Sequence, residues 1–543
     1  VTGDFEAMAG RRALRRARRW SVRVAIGAVL AVCAPAAADA AVFNVTGTAD
    51  SLAACTGAGP FTCPSLRSAV IASNIADGNN TINLPPGTFT LSIGPSGSDD
   101  ASSGDLNVAA NVTINGAGPG AGGTKIVGNG DRVFDIIATT ATLSGVAITN
   151  GSQQLNGAAI EDLGSSLTLT NDFFAANTTS PRGFGGAVSM TSTGNAALTI
   201  TNSTFSANIA ADTGIDGGGF GGAIYFGSSG GALTITNSTF AANVAQGGTQ
   251  DQGGFGGAIS FEPSGPASLT VTGSTFNDNT AAGGTVSQGG FGGGIDFEPT
   301  GAPPHTLTIT NSTFFGNRAG GPSGFGGAID YEPAGGASAT LTHVTIVGNA
   351  VNKAGQGGGL DIEDTPMTIR NSIVSGNTGA GSPDNCAPSG AGSVVRSGHN
   401  IEQGTTCGFD INANPLLGPL ASNGGPTQTM ALLKGSPAID KADPAFCPHT
   451  DQRGVARPDQ PGTACDIGAY EFVAPKPPPL VPPRHTRIYK LKISKKKHHA
   501  TFWFKASGTV KGFQCELRRY LPKKHAFGKA VFVQCSSPKT YGH

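Results

Sequence analysis

The stretch LTITNSTFSANIAADTGIDGGGFGGAI, Leu198 to Ile224, holds one complete copy of the unit from which most of the chain is built. It opens on Leu198-Thr199-Ile200-Thr201, where the apolar pair faces one side and the threonines the other, the two-residue period of a strand. Asn202 breaks that alternation. Asn tolerates positive φ better than other non-glycine residues, so it turns the strand while its amide stays available for hydrogen bonding. A second strand carries Phe205 inward and Asn208 turns the chain again. Gly221-Gly222 then mark a third corner, where the backbone must pass its neighbour without a Cβ.

The unit recurs along the chain. Phe-x-x-Asn or an aliphatic variant stands at Phe174 to Asn177, Phe205 to Asn208, Phe240 to Asn243, Phe276 to Asn279, Phe314 to Asn317, Ile346 to Asn349 and Val374 to Asn377. The first six copies are each followed by a Gly-Gly turn, beginning at Gly185, Gly221, Gly256, Gly292, Gly326 and Gly357. Asn171, Asn237, Asn311 and Asn371 repeat the first corner. A period of about 28 to 38 residues is one coil plus a variable loop. Stacked in parallel about 4.8 Å apart, the coils place Phe above Phe inside and Asn above Asn at the corners. Three faces and parallel ladders predict an all-β fold, a right-handed parallel β-helix, the hand being that of parallel crossovers. A β-propeller needs blades of about 40 residues with four strands and hairpin signals, which these segments lack. Asn-Ser-Thr at Asn202, Asn237 and Asn311 also reads as a glycosylation acceptor, but its fixed register assigns it to the corner.

The chain has 543 residues, 83 of them Gly, and a formal net charge of zero that conceals an asymmetry. Val42 to Val473 carries about 12 basic and 31 acidic residues, and Ala474 to His543 about 16 basic and a single acidic residue, Glu516. Glycine follows no strict triplet, which excludes collagen, and strand alternation argues against wholesale disorder. An acidic body offers no basic stripe to neutralise phosphates, so no nucleic-acid partner is expected there. Arg11, Arg12, Arg15, Arg16, Arg18, Arg19 and Arg23 precede an apolar run from Val24 to Val32 and small residues to Ala41. Residues 1–41 are therefore expected to be a secretion signal, the run being short of the roughly 20 residues a spanning helix needs. The mature chain is expected to be secreted, associated with a cell surface, without a transmembrane span and with a monomeric body.

Eight cysteines follow the signal and fall in local pairs, Cys55 with Cys63, Cys386 with Cys407, Cys447 with Cys465 and Cys515 with Cys535. This is the simplest of about 105 connectivities for eight cysteines. A zinc site is the competing reading; no CxxC occurs, and His449 lies near one pair alone.

The alternation of FxxN with GGA(I/L/V) resembles the repeats of chlamydial-type polymorphic membrane proteins, which are secreted β-helical adhesins. CPSLRSAVIASNIADGNNTINLPPGTFTL, Cys63 to Leu91, resembles the CSLREA segment of bacterial secreted β-helix proteins, with Ser68 in place of the family's Glu and Pro64 extra. An amphipathic helix from Pro64 to Ile75 is expected there, lying over the open end of the stack. NPLLGPLASNGGPTQTMALLKGSPAID (Asn414 to Asp440), DQRGVARP from Asp451 and CDIGAYEF (Cys465 to Phe472) resemble the choice-of-anchor Q region. That resemblance implies extracellular display without catalytic residues, and Asp451, Arg453, Asp466 and Glu471 read as internal ion pairs. The domains expected are 42–120, N-terminal cap and first coils; 121–413, β-helix repeats; 414–473, C-terminal cap; 474–485, a Pro-rich linker; and 486–543, a basic tail resembling an incomplete immunoglobulin-like β-sandwich.

Acidic residues recur after the glycine corner as Asp296 and Glu298, Asp330 and Glu332, Asp361 and Glu363, with Glu262 one coil earlier. The two-residue spacing sets each pair on one face and stacking sets the pairs in a column, a candidate contact for calcium or a glycan. A polysaccharide lyase would also need a basic residue to take a proton. Arg318, Lys353 and Arg370 are the nearest, and none repeats in register. The function expected is therefore an adhesin-like or structural binding role without catalysis or a required cofactor, toward an extracellular polysaccharide or another cell surface. The alternative is a polysaccharide-degrading lyase or glycosidase working at the column from Asp296 to Glu363. The Gly-rich loops from Ile209, Val244 and Thr280 are expected to form a wall beside it.

Overall fold

A computed structural model describes residues 40–474, except 77, 97–99, 139, 165, 215–216, 249–252, 285–288, 353 and 380–381, together with parts of 486–542. Nearly all of the expected secretion signal and of the expected linker, and Lys353, lie outside the described residues. The chain divides into two units, up to Phe472 and from Val473.

The first unit is a right-handed parallel β-helix. Each full coil contributes a strand to four sheets in turn. In the coil opened by Asn195–Thr201 the others are Thr204–Ser206, Ile209–Ala211 and Ile224–Phe226, and among the described residues the four sheets hold 13, 12, 9 and 10 strands. Register is kept without slippage: Leu198 lies beside Leu233, Phe205 beside Phe240, and Ile224 beside Ile259.

The core is three-sided, as the repeat predicts, and is filled from the first, second and fourth sheets. Phe174, Phe205, Phe240, Phe276 and Phe314 stack with ring centroids 4.7–4.9 Å apart. Phe226, Phe261, Phe297 and Tyr331 form a second stack at 5.1–5.4 Å. The sheet that the three-faced reading lacks is the third. Its strands bury Ala210, Ala245, Ala281 and Ala319 outside the main core, against glycines of the returning loop. A Cβ on Gly219 would come within 2.0 Å of Ala210 O, so the returning loop requires glycine there.

The corners divide the work between adjacent residues. Asn171, Asn202, Asn237 and Asn311 hold the positive φ of the first corner, as expected. At the second corner the residue before the Asn takes it: Ala176, Ala207, Ala242 and Asp278, and then Gly316, Gly348 and Gly376. The Asn there is freed to point inward. Asn177, Asn208, Asn243, Asn279, Asn317, Asn349 and Asn377 form a buried amide ladder in which each Nδ2 donates to the next Oδ1 at 2.9–3.1 Å, ending on Asn385. The Ser of each Asn-Ser-Thr is likewise internal. Ser203 Oγ donates to Thr201 O, and Ser203 N donates to Ser238 Oγ of the next coil.

At the N-terminal end the helix is Leu66–Ile75, N-capped by Ser65 Oγ, which accepts from Ser68 N, with Pro64 outside it. Leu66, Ala69 and Val70 complete the core. Arg67 is fully buried, pairs with Asp50 at 2.7 Å and donates to Ala101 O and Gly104 O. At the other end the core is closed by Cys386, Cys407 and Phe409, not by residues 414–473. That segment runs back along the corner between the first two sheets: Thr427 Oγ1 donates to Gly273 O, Asn311 Nδ2 to Thr450 O, Ala469 N to Thr345 Oγ1 and Asn371 Nδ2 to Asp443 O. It is a flank, not an end cap, because its apolar residues Leu432, Ala438, Ala442 and Ile467 find Ile373 and Ile401 on the outer face of the second sheet.

Cys55–Cys63, Cys386–Cys407, Cys447–Cys465 and Cys515–Cys535 are disulfides. Among the described residues no helix is long and apolar enough to cross a membrane. The second unit is antiparallel, with Thr486–Ser494, His499–Ala506 and Lys539–Gly542 in one sheet.

Candidate functional site: a carboxylate column on the fourth sheet

Three strands of the fourth sheet, Ile224–Phe226, Ile259–Phe261 and Ile295–Phe297, read Ile-x-Phe, with the ends in the core and the middle residue turned outward. In register along that outer line stand Asn107, Asp135, Glu161, Ser189, Tyr225, Ser260, Asp296, Asp330 and Asp361. The structure therefore brings Asp296, Asp330 and Asp361 onto successive rungs, about 4.8 Å apart. Glu298, Glu332 and Glu363 follow two residues later on the same side, partly buried, and Glu262 begins their line. All six predicted residues come together.

Their burial is not predicted by the sequence. Asp296, Asp330 and Asp361 are only 1–2 % exposed although they point away from the core. Asp296 Oδ2, Asp330 Oδ1 and both oxygens of Asp361 lack a hydrogen-bond donor. Glu363 reaches Asp361 carboxyl to carboxyl, a contact that is a hydrogen bond only when one of the two carries a proton.

Desolvation, then repulsion by neighbouring carboxylates, raises the acids of the column. Asp296 and Asp330 lie well above the ordinary range, Asp361 is pushed up to about 8 and Glu298 to about 8. Burial raises Glu262 to about 7 against a hydrogen bond from Ser260, and raises Glu332, with Glu363 and Asp364 adding repulsion. Among the described residues, every charged group acting on Asp296 and Asp330 is another carboxylate. Arg318 is exposed on the third sheet and bonded to Asn352, and Arg370 lies on the first sheet over the Phe446 ring, so neither serves the column.

Several other acidic groups are paired with arginine. Farther up the same line Arg132 pairs with Asp105 at 3.4 Å, Asp135 at 3.9 Å and Glu161 at 2.5 Å. In the flank, Arg453 pairs with Asp451 at 2.7 Å and Arg457 with Glu471 at 3.0 Å, while Asp466 accepts from Asp440 N. The Arg132 cluster is legible in register but not in spacing, because its acids come from three separate coils. Asp384, which adds to the field on Asp361, gives no sequence signal at all.

The loops carry a further ladder. Their closing residues Phe184, Phe220, Phe255, Phe291 and Phe325 pair in parallel and stack at 4.7–5.4 Å, half-buried along the edge of the fourth sheet. Phe184 and Phe220 touch Tyr225, an outward residue of the acidic line. The described part of the wall is thus aromatic, but face-to-face stacking occupies the ring faces that a sugar would need.

Comparison with known proteins finds no family model that matches this chain and no curated protein similar to it.

Proposed function

We propose that the chain is a secreted, surface-displayed β-helix with a binding or structural role and no catalytic activity, and that its partner is an extracellular polysaccharide or another cell surface. The observation that carries this reading is the repetition of the column. Three successive coils present the same carboxylates in the same register with, among the described residues, no basic side chain acting on Asp296 or Asp330, whereas an active site is one constellation of unlike groups. The four disulfides accord with an exported chain. The resemblances to polymorphic membrane proteins, CSLREA segments and choice-of-anchor Q regions point the same way.

The test is to incubate the full chain with a panel of acidic and neutral polysaccharides, measuring retention and chain length together. Retention without shortening supports the proposal; shortening that is lost in Asp330→Asn establishes the glycosidase or lyase alternative. What favours that alternative is the pair Asp361 and Glu298, each pushed up to about 8, since a general acid must hold its proton near neutrality.

A further inference from the structure

The line of outward residues on the fourth sheet has a charged segment at each end, and the two are built differently. Toward the N-terminus one guanidinium, Arg132, stands among Asp105, Asp135 and Glu161. Ser189, Tyr225 and Ser260 then form a neutral stretch. Toward the C-terminus Asp296, Asp330 and Asp361 are as deeply buried as core residues, and buried oxygens on all three have no donor. An isolated buried carboxylate is expensive unless paired, protonated or bound to a metal. The chain supplies a counter-charge at one end of the line and a set of open oxygens at the other.

We infer that Asp296, Asp330 and Asp361, with Glu298, Glu332 and Glu363, bind hard divalent cations, calcium in preference to magnesium, one ion between each pair of adjacent rungs. The ligand class follows from the donors, which are all carboxylate oxygens. The preference follows from the rise of the coil. Two rungs lie about 4.8 Å apart, and an ion bridging opposed oxygens at about 2.4 Å from each spans that gap. Magnesium, at about 2.0–2.1 Å, spans about 4.1 Å and requires strict octahedral geometry, so it fits the spacing poorly. Asp296 to Asp330 and Asp330 to Asp361 give two gaps, and Asp330 borders both. This inference goes beyond the surface-binding reading: it concerns cations alone and holds or fails whether or not a polysaccharide partner exists.

The experiment is calorimetric titration of the full, disulfide-intact chain, stripped with chelator, first with calcium chloride and then with magnesium chloride. The expected result is saturable calcium binding with a stoichiometry near two, at least about tenfold weaker magnesium binding, and at least about tenfold weaker calcium binding in Asp330→Asn. Glu161→Gln, in the Arg132 cluster, should leave the calcium isotherm unchanged. Thermal melting guards against misfolding. In chelator Asp330→Asn should melt no lower than the parent chain, and calcium should raise the melting temperature of the parent and not of the variant. No saturable calcium binding, an isotherm unaltered by Asp330→Asn, equal loss in Glu161→Gln, or magnesium binding as tight as calcium would each overturn the proposal.

Discussion

The two Asn residues of each coil have opposite structural duties, and substitution separates them. Asn243 Nδ2 donates to Asn279 Oδ1 at 2.9 Å and to Phe205 O at 3.0 Å, while its Oδ1 accepts from Asn208 N and Asn208 Nδ2, both at 3.0 Å. Asn243→Ala removes all four bonds and leaves two buried donors of Asn208 without an acceptor, although Asn208 Nδ2 keeps Phe174 O. With about 1–3 kcal/mol for each orphaned buried group, the cost is about 3–5 kcal/mol. Asn202, by contrast, is exposed and holds φ at +50°. Asn202→Gly keeps the turn at no steric cost and should stay within about 0.5 kcal/mol. The chain itself places Gly273 and His343 at that corner with positive φ, whereas all seven copies of the second corner keep Asn. Because coils interact with their neighbours, the loss should be local, so hydrogen exchange is the assay of choice. In Asn243→Ala the amide of Asn208 and those of adjoining coils should exchange roughly a hundredfold to several thousandfold faster, at about tenfold per 1.4 kcal/mol, while coils near Ile114 remain protected. Exchange at Asn208 accelerated equally by the two substitutions would refute the ladder argument.

Gly222→Ala should cost about 1–3 kcal/mol or more by urea denaturation, because its Cβ would stand 2.1 Å from Gly257 O and 2.5 Å from Val244 N, while Gly194→Ala, with open space around it, should be neutral. Arg67→Met should cost about 3–5 kcal/mol by leaving Asp50 charged and buried, and Asp50→Asn added to it should recover part of the loss. In chelator, stability should fall as pH rises from about 5 to about 8. The acids at about 7 to 8, Glu262, Asp172, Glu298 and Asp361, keep protons in the folded chain that the unfolded chain has already released. His343, lowered to about 3 chiefly by burial, acts oppositely below about pH 6.5, because the unfolded chain takes up its proton first. A melting temperature that climbs between pH 6 and 8 in chelator would contradict the burial of the acids.

What the sequence reveals about this fold is what stacking repeats. Leu198, Ile200, Phe205, Gly221 and Ile224 recur at matching places because each must face its own copy, so the core ladders and the glycine corner can be read from spacing. The third sheet is not legible, since Ile209–Ala211 is three residues long and its buried residues are alanines, too short for alternation to register. The division of labour at Ala207 and Asn208 is also hidden: position shows a turn, but not which of two adjacent residues adopts positive φ. The path of residues 414–473 depends on contacts more than a hundred residues apart, such as Thr427 with Gly273, and no local pattern encodes them. For the column, the pairing of Asp330 with Glu332 is visible from spacing, whereas its burial is a property of assembled neighbours.

Parallel in-register stacking sets every side chain about 4.8 Å from its copies, and side chains differ in how they accept this. Asn amides bond to one another, as Asn243 does to Asn279, and phenyl rings stack, as Phe255 does on Phe291. Carboxylates can do neither while both are charged. The fold does not require them, since Ser189 and Ser260 occupy the same register in earlier coils and leave the strand intact. Three consecutive acids at Asp296, Asp330 and Asp361 are therefore a feature that stacking penalises and that a bound cation relieves. The same electrostatics constrain any polysaccharide partner. Once its carboxylates ionise, the bare column repels an anionic glycan, which can approach through a bridging cation, whereas a neutral glycan is indifferent to it. Retention of an acidic polysaccharide that disappears in chelator, with a neutral one unaffected, would place the column within the binding face; retention of both in chelator would move that face elsewhere on the solenoid.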